Sequence, residues 1–198
     1  RSGIIKKTKL EEYSRPRANG IIAINLKGND ELIAVRTSSG SDEILISTKQ
    51  GQAIRFNEDK VRSVGRNSMG VKGISLKGDD FVVSSEVIKD SKTQILTITE
   101  NGFGKRTEVE KYRLTSRGGK GVTTLKITEK TGKIVNAFQV DNETDVILLS
   151  SVGKANRLKA SEISIIGRAT QGVRLMKLND DIKVVAAAKL TEEKQNSE

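Results

Sequence analysis

Lysine and arginine recur at fixed places along this chain, and their spacing points to phosphate chemistry. One set, the leading cations, lies four residues before a recurring glycine and comprises Arg66, Arg117 and Arg168, with Arg15 and Arg17 flanking the equivalent place nearer the N-terminus. A second set, the trailing cations, lies four residues after another recurring glycine and comprises Lys7, Arg55, Arg106 and Arg157. Cations that recur in phase predict a surface that follows a polyanion through phosphate contacts, which carry no sequence information.

Other kinds of chemistry are largely excluded by composition. The 198 residues include no His and no Cys, which rules out the usual zinc ligands, Ser-His or Cys-His nucleophiles, disulfides and haem attachment. Tyr13 and Tyr112 align with Val61 and Ile163 in the repeats described below, and a position shared with aliphatic residues favours packing over catalysis. Binding is therefore the leading functional class, in line with a net charge of +10.

Paired carboxylates are the remaining candidates for acid/base work or for a metal held by oxygen ligands. The pairs at 79–80 and 180–181 fall in the same turn of two repeats, near the place of residues 29–30 in another. Recurrence in one turn favours turn chemistry over a dyad or a metal site. We therefore expect no catalytic residue, metal or cofactor in this chain.

The composition also bears on partners and compartment. Aromatic residues make up only 3%, too few for a platform that stacks single-stranded bases, and there is no Trp. Eighteen glycines against one proline indicate many tight turns. No apolar run is long enough to cross a bilayer and no signal-peptide core is visible, so we expect a soluble chain from a reducing compartment with no membrane partner.

Two motifs repeat with one period and organise the chain. The pattern G-[IV]-x-x-[ILM]-x-[IL] starts at Gly20, Gly70, Gly121 and Gly172, with spacings of 50, 51 and 51 residues. A turn glycine followed four residues later by a cation starts at Gly3, Gly51, Gly102 and Gly153, with spacings of 48, 51 and 51 residues. These predict one domain over 1–190 with copies at about 1–50, 51–101, 102–152 and 153–190, followed by a polar tail at 191–198.

Each copy has the pattern of β-structure. Apolar residues alternate after the first glycine, as at Ile24 and Leu26 or Ile74 and Leu76, which predicts a half-buried strand. Apolar stretches at 81–88, 94–98 and 145–149 predict further strands, and a helical period is visible only near 183–195. A unit of 51 residues with about four short strands is typical of a propeller blade, so the fold class is all-β with about four blades.

The first copy lacks its front portion. The chain is therefore expected to be a piece of a longer protein, or else to complete a blade by strand exchange between its two ends.

In a radial array, equivalent cations lie on one ring and form a positive stripe. If about eight leading and trailing cations each neutralise one phosphate, the slope of log affinity against log salt is about −7. The contacts would also have to offset the several kcal/mol needed to bend duplex DNA. The alternative is a solvated face whose charges reflect repeat ancestry, and acidic loop residues such as Glu58 and Glu108 fit it. The predicted surface also includes the neighbouring cations Arg62, Lys72, Lys105, Arg113, Lys120 and Arg174.

The sequence R-G-G-K-G at 117–121 is the remaining candidate for phosphate binding. It lacks the spacing and the Ser or Thr of a Walker A motif. Amides of Gly118, Gly119 and Gly121 beside Lys120 could still form a nest for a phosphate. Recurring glycines are otherwise expected at turns and close-packing positions.

Three segments carry a family resemblance: G-F-G-K-R-T at 102–107, S-R-G-G-K-G-V at 116–122 and G-R-A-T-Q-G-V-R-L at 167–175. Together they resemble the C-terminal domain of the A subunit of bacterial DNA gyrase, across essentially the whole chain. The resemblance implies a β-pinwheel, in which strands are exchanged between neighbouring blades, and the chain resembles the later four of about six blades. The family's box, Q-R-R-G-G-K-G, is matched here only from Arg117 to Gly121, after Thr115 and Ser116, so an intact box is expected upstream of residue 1.

The resemblance also implies a function. A domain of this family would bind and wrap duplex DNA without sequence specificity, as a non-catalytic part of a topoisomerase, an isomerase that negatively supercoils DNA with ATP. Its partners would be the B subunit of gyrase together with the rest of the A subunit, in an A2B2 holoenzyme, which uses ATP and Mg²⁺ elsewhere. The domain itself is expected to be monomeric, and the location cytoplasmic and nucleoid-associated.

Two other interpretations remain open. The equivalent domain of topoisomerase IV has more degenerate blades and no intact box, whereas the copies here are regular. A protein-interaction propeller of the WD-repeat type would normally show recurrent Trp, which this sequence lacks.

Overall fold

A computed structural model describes residues 1–179 and 181–190. The chain forms two compact units, one of residues 1–89 with 112–122 and one of residues 90–111 with 123 onwards. The prediction of a single domain over 1–190 stays a prediction. The polar tail at 191–198 and one residue of the carboxylate pair, Asp180, lie outside the described residues.

The chain is all-β, as predicted. Its helical content in the described residues is limited to short 3-10 turns at Leu10–Tyr13, Glu58–Lys60, Val109–Lys111 and Ala160–Glu162. None of these turns is long or apolar enough to cross a membrane. The strands are β1 (Ile4–Ile5), β2 (Glu43–Thr48), β3 (Gln52–Asn57), β4 (Val71–Lys72), β5 (Val82–Ile88), β6 (Gln94–Thr99), β7 (Phe103–Glu108), β8 (Val122–Thr123), β9 (Ile134–Val140), β10 (Asp145–Ser150), β11 (Ala155–Lys159), β12 (Val173–Arg174) and β13 (Val184–Leu190).

The sheets confirm the exchange of strands between repeats that the resemblance implied. The orders are β1-β4, β5-β2-β3-β8, β9-β6-β7-β12 and β11-β10-β13. In the first three, the last strand comes from the copy that follows, as when β12 pairs antiparallel with β7. Two of the sheets have the four strands expected of a blade, and the other two have two and three in the described chain.

Each central hairpin turns at a recurring glycine, as predicted. Gly51, Gly102 and Gly153 have φ angles of 87°, 77° and 79°, a conformation that glycine adopts without strain. The hydroxyl three residues earlier stabilises the turn, since the Ser150 and Thr48 oxygens accept bonds from the amides of residues four positions on. The predicted strands near 81–88, 94–98 and 145–149 are confirmed as β5, β6 and β10.

The strand after the first glycine is shorter than predicted. It covers only two residues in the later copies, and Ile74 and Met176 lie beyond it although both are buried. The amides of Gly73 and Ile74 both donate to the Gly3 carbonyl, at 2.8 and 3.2 Å. One carbonyl cannot continue a ladder with two successive amides, so the strand ends there while its apolar residues still reach the core.

The first copy and the C-terminal segment also differ from prediction. Residues 20–39 contain no strand, so the strand predicted at Ile24 and Leu26 is wrong, and Ile22 and Val35 are 60% and 72% exposed. The helical period near 183–195 is wrong for residues 184–190, which form β13 and pair with β10. Ladder hydrogen bonds to an existing apolar strand outweigh a weak periodic preference.

Each unit has an apolar core between its strands. In the first unit Ile44, Ile54 and Phe56 pack with Val61 and Ile74. In the second, a larger cluster joins β6, β9, β10 and β13, and it includes Ile163. Tyr112 is fully buried, like its aligned neighbours Val61 and Ile163, which confirms the packing role predicted for this position.

Candidate nucleic-acid interface

Two of the trailing cations lie inside the protein rather than on its surface. Arg106 is only 4% exposed, and its guanidinium donates to the Ile163 carbonyl at 2.8 Å and to Asn142 Oδ1 at 2.6 Å. Arg55 is 8% exposed and donates to the Tyr112 carbonyl at 3.1 Å and to Glu43 at 2.6 Å. Both arginines therefore bind the backbone of the next copy at the aligned tyrosine position.

The other trailing cations are more accessible but also paired. Lys7 donates to the Glu58 carbonyl at 2.9 Å and lies 3.8 Å from the Glu58 carboxylate. Arg157 forms an ion pair with Asp145 on the neighbouring strand, and its side chain is 63% exposed. Of the described trailing cations, Arg157 is thus the one with most of its side chain in solvent.

The leading arginines share one geometry that the sequence did not reveal. Each donates through Nη1 to the carbonyl two residues after the first glycine of the preceding copy. The contacts are Arg66 to Ile22 at 2.8 Å, Arg117 to Lys72 at 3.0 Å and Arg168 to Thr123 at 2.8 Å. All three arginines are partly exposed, so one edge of each guanidinium is fixed on the backbone while the side chain stays at the surface.

Most of the other predicted cations lie on the surface. In the first unit Arg15, Arg17, Arg62, Lys72, Arg113 and Lys120 are exposed, and in the second unit Arg174 is exposed. Arg117 binds the carbonyls of Lys60 and Lys72, which brings its loop next to the exposed Lys72. The Arg174 guanidinium lies 5.5 Å from the centre of the Phe103 ring. Leading arginines and their exposed neighbours thus form the accessible positive surface of each unit.

Lys105 differs from this pattern, because it was predicted at the surface and is fully buried. Its ammonium donates to the Gly167 carbonyl at 2.5 Å, to the Arg168 carbonyl and to Thr170 Oγ1 at 3.1 Å. Burial, followed by the charge of Arg168, lowers the pKa of Lys105 to about 8. An ammonium enclosed in this way does not reach a phosphate.

The R-G-G-K-G loop is built by contacts within the protein. The Gly118 amide donates to the Gly73 carbonyl at 2.6 Å, and the Gly119 carbonyl accepts the Ser75 amide at 2.8 Å. Gly121 has φ of 76°, and a Cβ there would overlap the Ala53 carbonyl oxygen. Because the Gly118 amide is already bonded, the loop lacks one amide that the predicted phosphate nest requires.

The recurring carboxylates that the structure describes stabilise turns by accepting backbone hydrogen bonds. Asp80 accepts the amides of Gln50 and Phe81 at 2.9 and 2.8 Å, and Asp30 likewise accepts those of Ser2 and Glu31. Among residues 1–179 and 181–190, no three acidic side chains come together as a metal site would require.

An all-β, propeller-like module with exchanged sheets and recurring, partly exposed arginines is the class that these features define. A family model described as "DNA gyrase C-terminal domain, beta-propeller" matches residues 1–39, 42–89, 93–141 and 144–191. The chain belongs to the DNA gyrase C-terminal domain family. The model matches in four segments, the number of copies found in the sequence, and the later three segments begin at 42, 93 and 144, before the copies predicted from 51, 102 and 153.

Individual relatives support this assignment. The chain is 47% identical, over 96% of its length, to the A subunit of DNA gyrase from Salmonella typhimurium. It is 48% identical, over 99% of its length, to the A subunit of DNA gyrase from Staphylococcus epidermidis. It spans 22% of the length of each of these relatives.

Solved structures show the same fold. A DNA gyrase A C-terminal domain matches with a TM-score of 0.86 at 29% identity, over 96% of this chain and 63% of that one. The C-terminal domain of a DNA topoisomerase IV matches with a TM-score of 0.91 at 26% identity, over 96% of this chain and 59% of that one.

Proposed function

We propose that this chain binds duplex DNA without sequence specificity through its leading arginines and their exposed neighbours, and bends or wraps the DNA. The relatives named above are gyrase A subunits much longer than this chain. Within a protein of that kind, the domain would present wrapped DNA to a catalytic core located elsewhere. It would thereby support ATP-dependent negative supercoiling together with the B subunit.

The observation that carries the proposal is the shared geometry of Arg66, Arg117 and Arg168. A guanidinium has five N–H donors, and one or two of them are used here to bind backbone carbonyls. The fixed edge orients the group, and the remaining donors suit a phosphate oxygen. Three arginines held in this way at equivalent places in the repeats each offer a contact to a backbone phosphate.

The buried trailing arginines reduce the number of phosphate contacts expected. Arg55 and Arg106 would have to leave carbonyl and carboxylate partners to reach DNA, which costs more than one phosphate contact returns. We therefore assign them, with Lys105, to the support of the surface. Arg66, Arg117 and Arg168 alone account for a salt slope of about −2.7, and each exposed neighbour that binds adds about −0.9.

Ligase closure of nicked circular DNA in the presence of excess chain tests the proposal. Wrapping fixes a change in linking number, which persists after the protein is removed and is read as shifted topoisomers on a gel. A variant with Arg66, Arg117 and Arg168 all changed to Gln should lose this shift and lower the salt slope by about 2.7. Unshifted topoisomers with bound wild-type chain would refute wrapping, and binding insensitive to salt would refute the phosphate surface.

A topoisomerase IV role is the second candidate, because the chain matches a topoisomerase IV C-terminal domain with a TM-score of 0.91. The two roles differ in the holoenzyme. A gyrase subunit would introduce negative supercoils into relaxed plasmid with ATP and Mg²⁺, whereas a topoisomerase IV subunit would separate linked circles without doing so. Supercoiling and decatenation assays on the reconstituted full-length holoenzyme decide between them.

A further inference from the structure

Lys6 and Lys105 hold the same place in two copies, one residue before a trailing cation. The Lys105 ammonium is enclosed by the carbonyls of Gly167 and Arg168 and by the Thr170 hydroxyl. The Lys6 ammonium donates to the carbonyls of Ala23 at 2.6 Å and Gly65 at 3.3 Å, and to that of Arg66. In each of the two units, a lysine thus binds the backbone of a leading arginine.

The fold itself does not require a cation at this place. The equivalent residues in the second and fourth copies are Ile54, which is buried in the apolar core, and Asn156, whose amide donates to the Leu175 carbonyl. Removing an ammonium from water is unfavourable, and here a like charge is close by as well. Both causes lower the pKa of Lys6, as they do for Lys105. Burial of this cation is energetically unfavourable, and the other two copies have neutral side chains at the same place. The lysine therefore has a role specific to its own copy.

We propose that Lys105 and Lys6 are positioning residues that hold the loops at 167–170 and 65–66, so that Arg168 and Arg66 project towards DNA phosphates. The lysines themselves do not contact DNA. The inference rests on the function proposed above and deepens it, since it names what sets the binding geometry of two of the three leading arginines.

The contacts show how the lysine acts on the arginine. Lys105 fixes the carbonyls of residues 167 and 168, while Arg168 Nη1 is fixed on Thr123. The Arg168 side chain is thus held at its backbone end by the ammonium and at its guanidinium end by a carbonyl. Loss of the ammonium removes the donor that ties these two partly buried carbonyls to β7, so the loop is no longer held at its backbone end.

The test measures duplex DNA affinity as a function of salt for Lys105→Met, Arg168→Gln and the double variant. Lys154→Met is the charge-matched control, because Lys154 is an exposed residue of the hairpin turn in the same unit. We expect Lys105→Met and Arg168→Gln each to weaken binding roughly 3- to 10-fold and to lower the salt slope by about one. The double variant should match Arg168→Gln, and Lys154→Met should stay within about twofold of wild type.

Amide hydrogen exchange supplies a readout without DNA. The amides of Lys126 and Ile166 hold the loop at 167–170, since they donate to the carbonyls of Thr170 and Arg106 at 3.0 and 2.9 Å. Their exchange should accelerate at least about tenfold in Lys105→Met and not in Lys154→Met. Weaker DNA binding without faster exchange would mean that Lys105 contacts DNA directly, and it would overturn the inference. Independent, multiplying effects of Lys105→Met and Arg168→Gln would overturn it too.

Two further outcomes are separable from these. If the wild-type chain does not bind DNA, the proposed function falls. If it binds and Lys105→Met behaves like Lys154→Met, the positioning role alone falls. Should Lys105→Met fail to fold, Lys6→Met with Arg66→Gln makes the same comparison in the other unit, with the same expected slopes.

Discussion

The leading and trailing cations look alike in sequence, yet the structure uses them differently. Arg106, a trailing cation, is buried and saturated by carbonyl and amide oxygens of its own unit. Arg168, a leading cation, has one nitrogen bound to a carbonyl and remains partly exposed. Periodicity alone therefore does not distinguish a ligand-binding arginine from a structural one, because both kinds recur at the same place in successive copies.

The largest expected effect is on stability, and it separates the buried trailing cations from the exposed one. Arg106→Met leaves the Ile163 carbonyl and Asn142 without their donor, so we expect the free energy of unfolding to fall by about 3–4 kcal/mol. Arg157→Met changes an exposed member of the same set and should cost less than about 1 kcal/mol. Urea titration followed by circular dichroism measures both. Equal losses of stability would show that the buried and exposed trailing cations do not differ in structural role.

A smaller loss tests whether the loop of Arg117 is built for packing. Gly121→Ala places a Cβ against the Ala53 carbonyl oxygen at a φ of 76°, so the free energy of unfolding should fall by about 2–3 kcal/mol. Gly119 lies in the same loop, and a Cβ there would meet nothing closer than 3.6 Å. Gly119→Ala should therefore be close to neutral in the same urea titration, and equal effects of the two changes would contradict this account.

The burial of Lys105 predicts that the free energy of unfolding depends on pH. Lys105 loses its proton in the folded chain near its pKa of about 8, whereas in the unfolded chain it keeps the proton to about 10.4. The unfolded state therefore binds more protons in this window, and stability rises with pH between about 8 and 10. The free energy of unfolding of wild type relative to Lys105→Met should increase by about 1–3 kcal/mol across it. A flat difference would mean that the ammonium is not enclosed.

For a leading cation we expect a clear effect on binding and only a small effect on stability. Arg117→Gln should lower the salt slope by about 0.9 and weaken DNA binding severalfold, with about 1 kcal/mol lost in stability. Fluorescence anisotropy with labelled duplex at several salt concentrations measures the slope, and Lys154→Met is again the control. An unchanged slope would remove Arg117 from the DNA surface.

Much of the fold was predictable because its signals are local. The 51-residue period, the turn glycines such as Gly102 and the apolar stretches each report on a few neighbouring residues. Whether a given cation is buried or exposed, by contrast, depends on partners that are distant in sequence. Arg106 is buried because Ile163 lies beside it, and Lys105 because the loop at 167–170 folds over it. A repeated lysine at positions 6 and 105 was the available signal, and it needed the structure to be understood.

The exchange of strands has a consequence for synthesis of the chain. While the ribosome releases the protein, β5, β2 and β3 can pair, but the free edge of β3 remains open until Val122 and Thr123 emerge. The next sheet likewise waits for Val173 and Arg174. Each newly made copy thus closes the edge left by its predecessor, and this limits the time for which an unpaired strand could join another nascent chain.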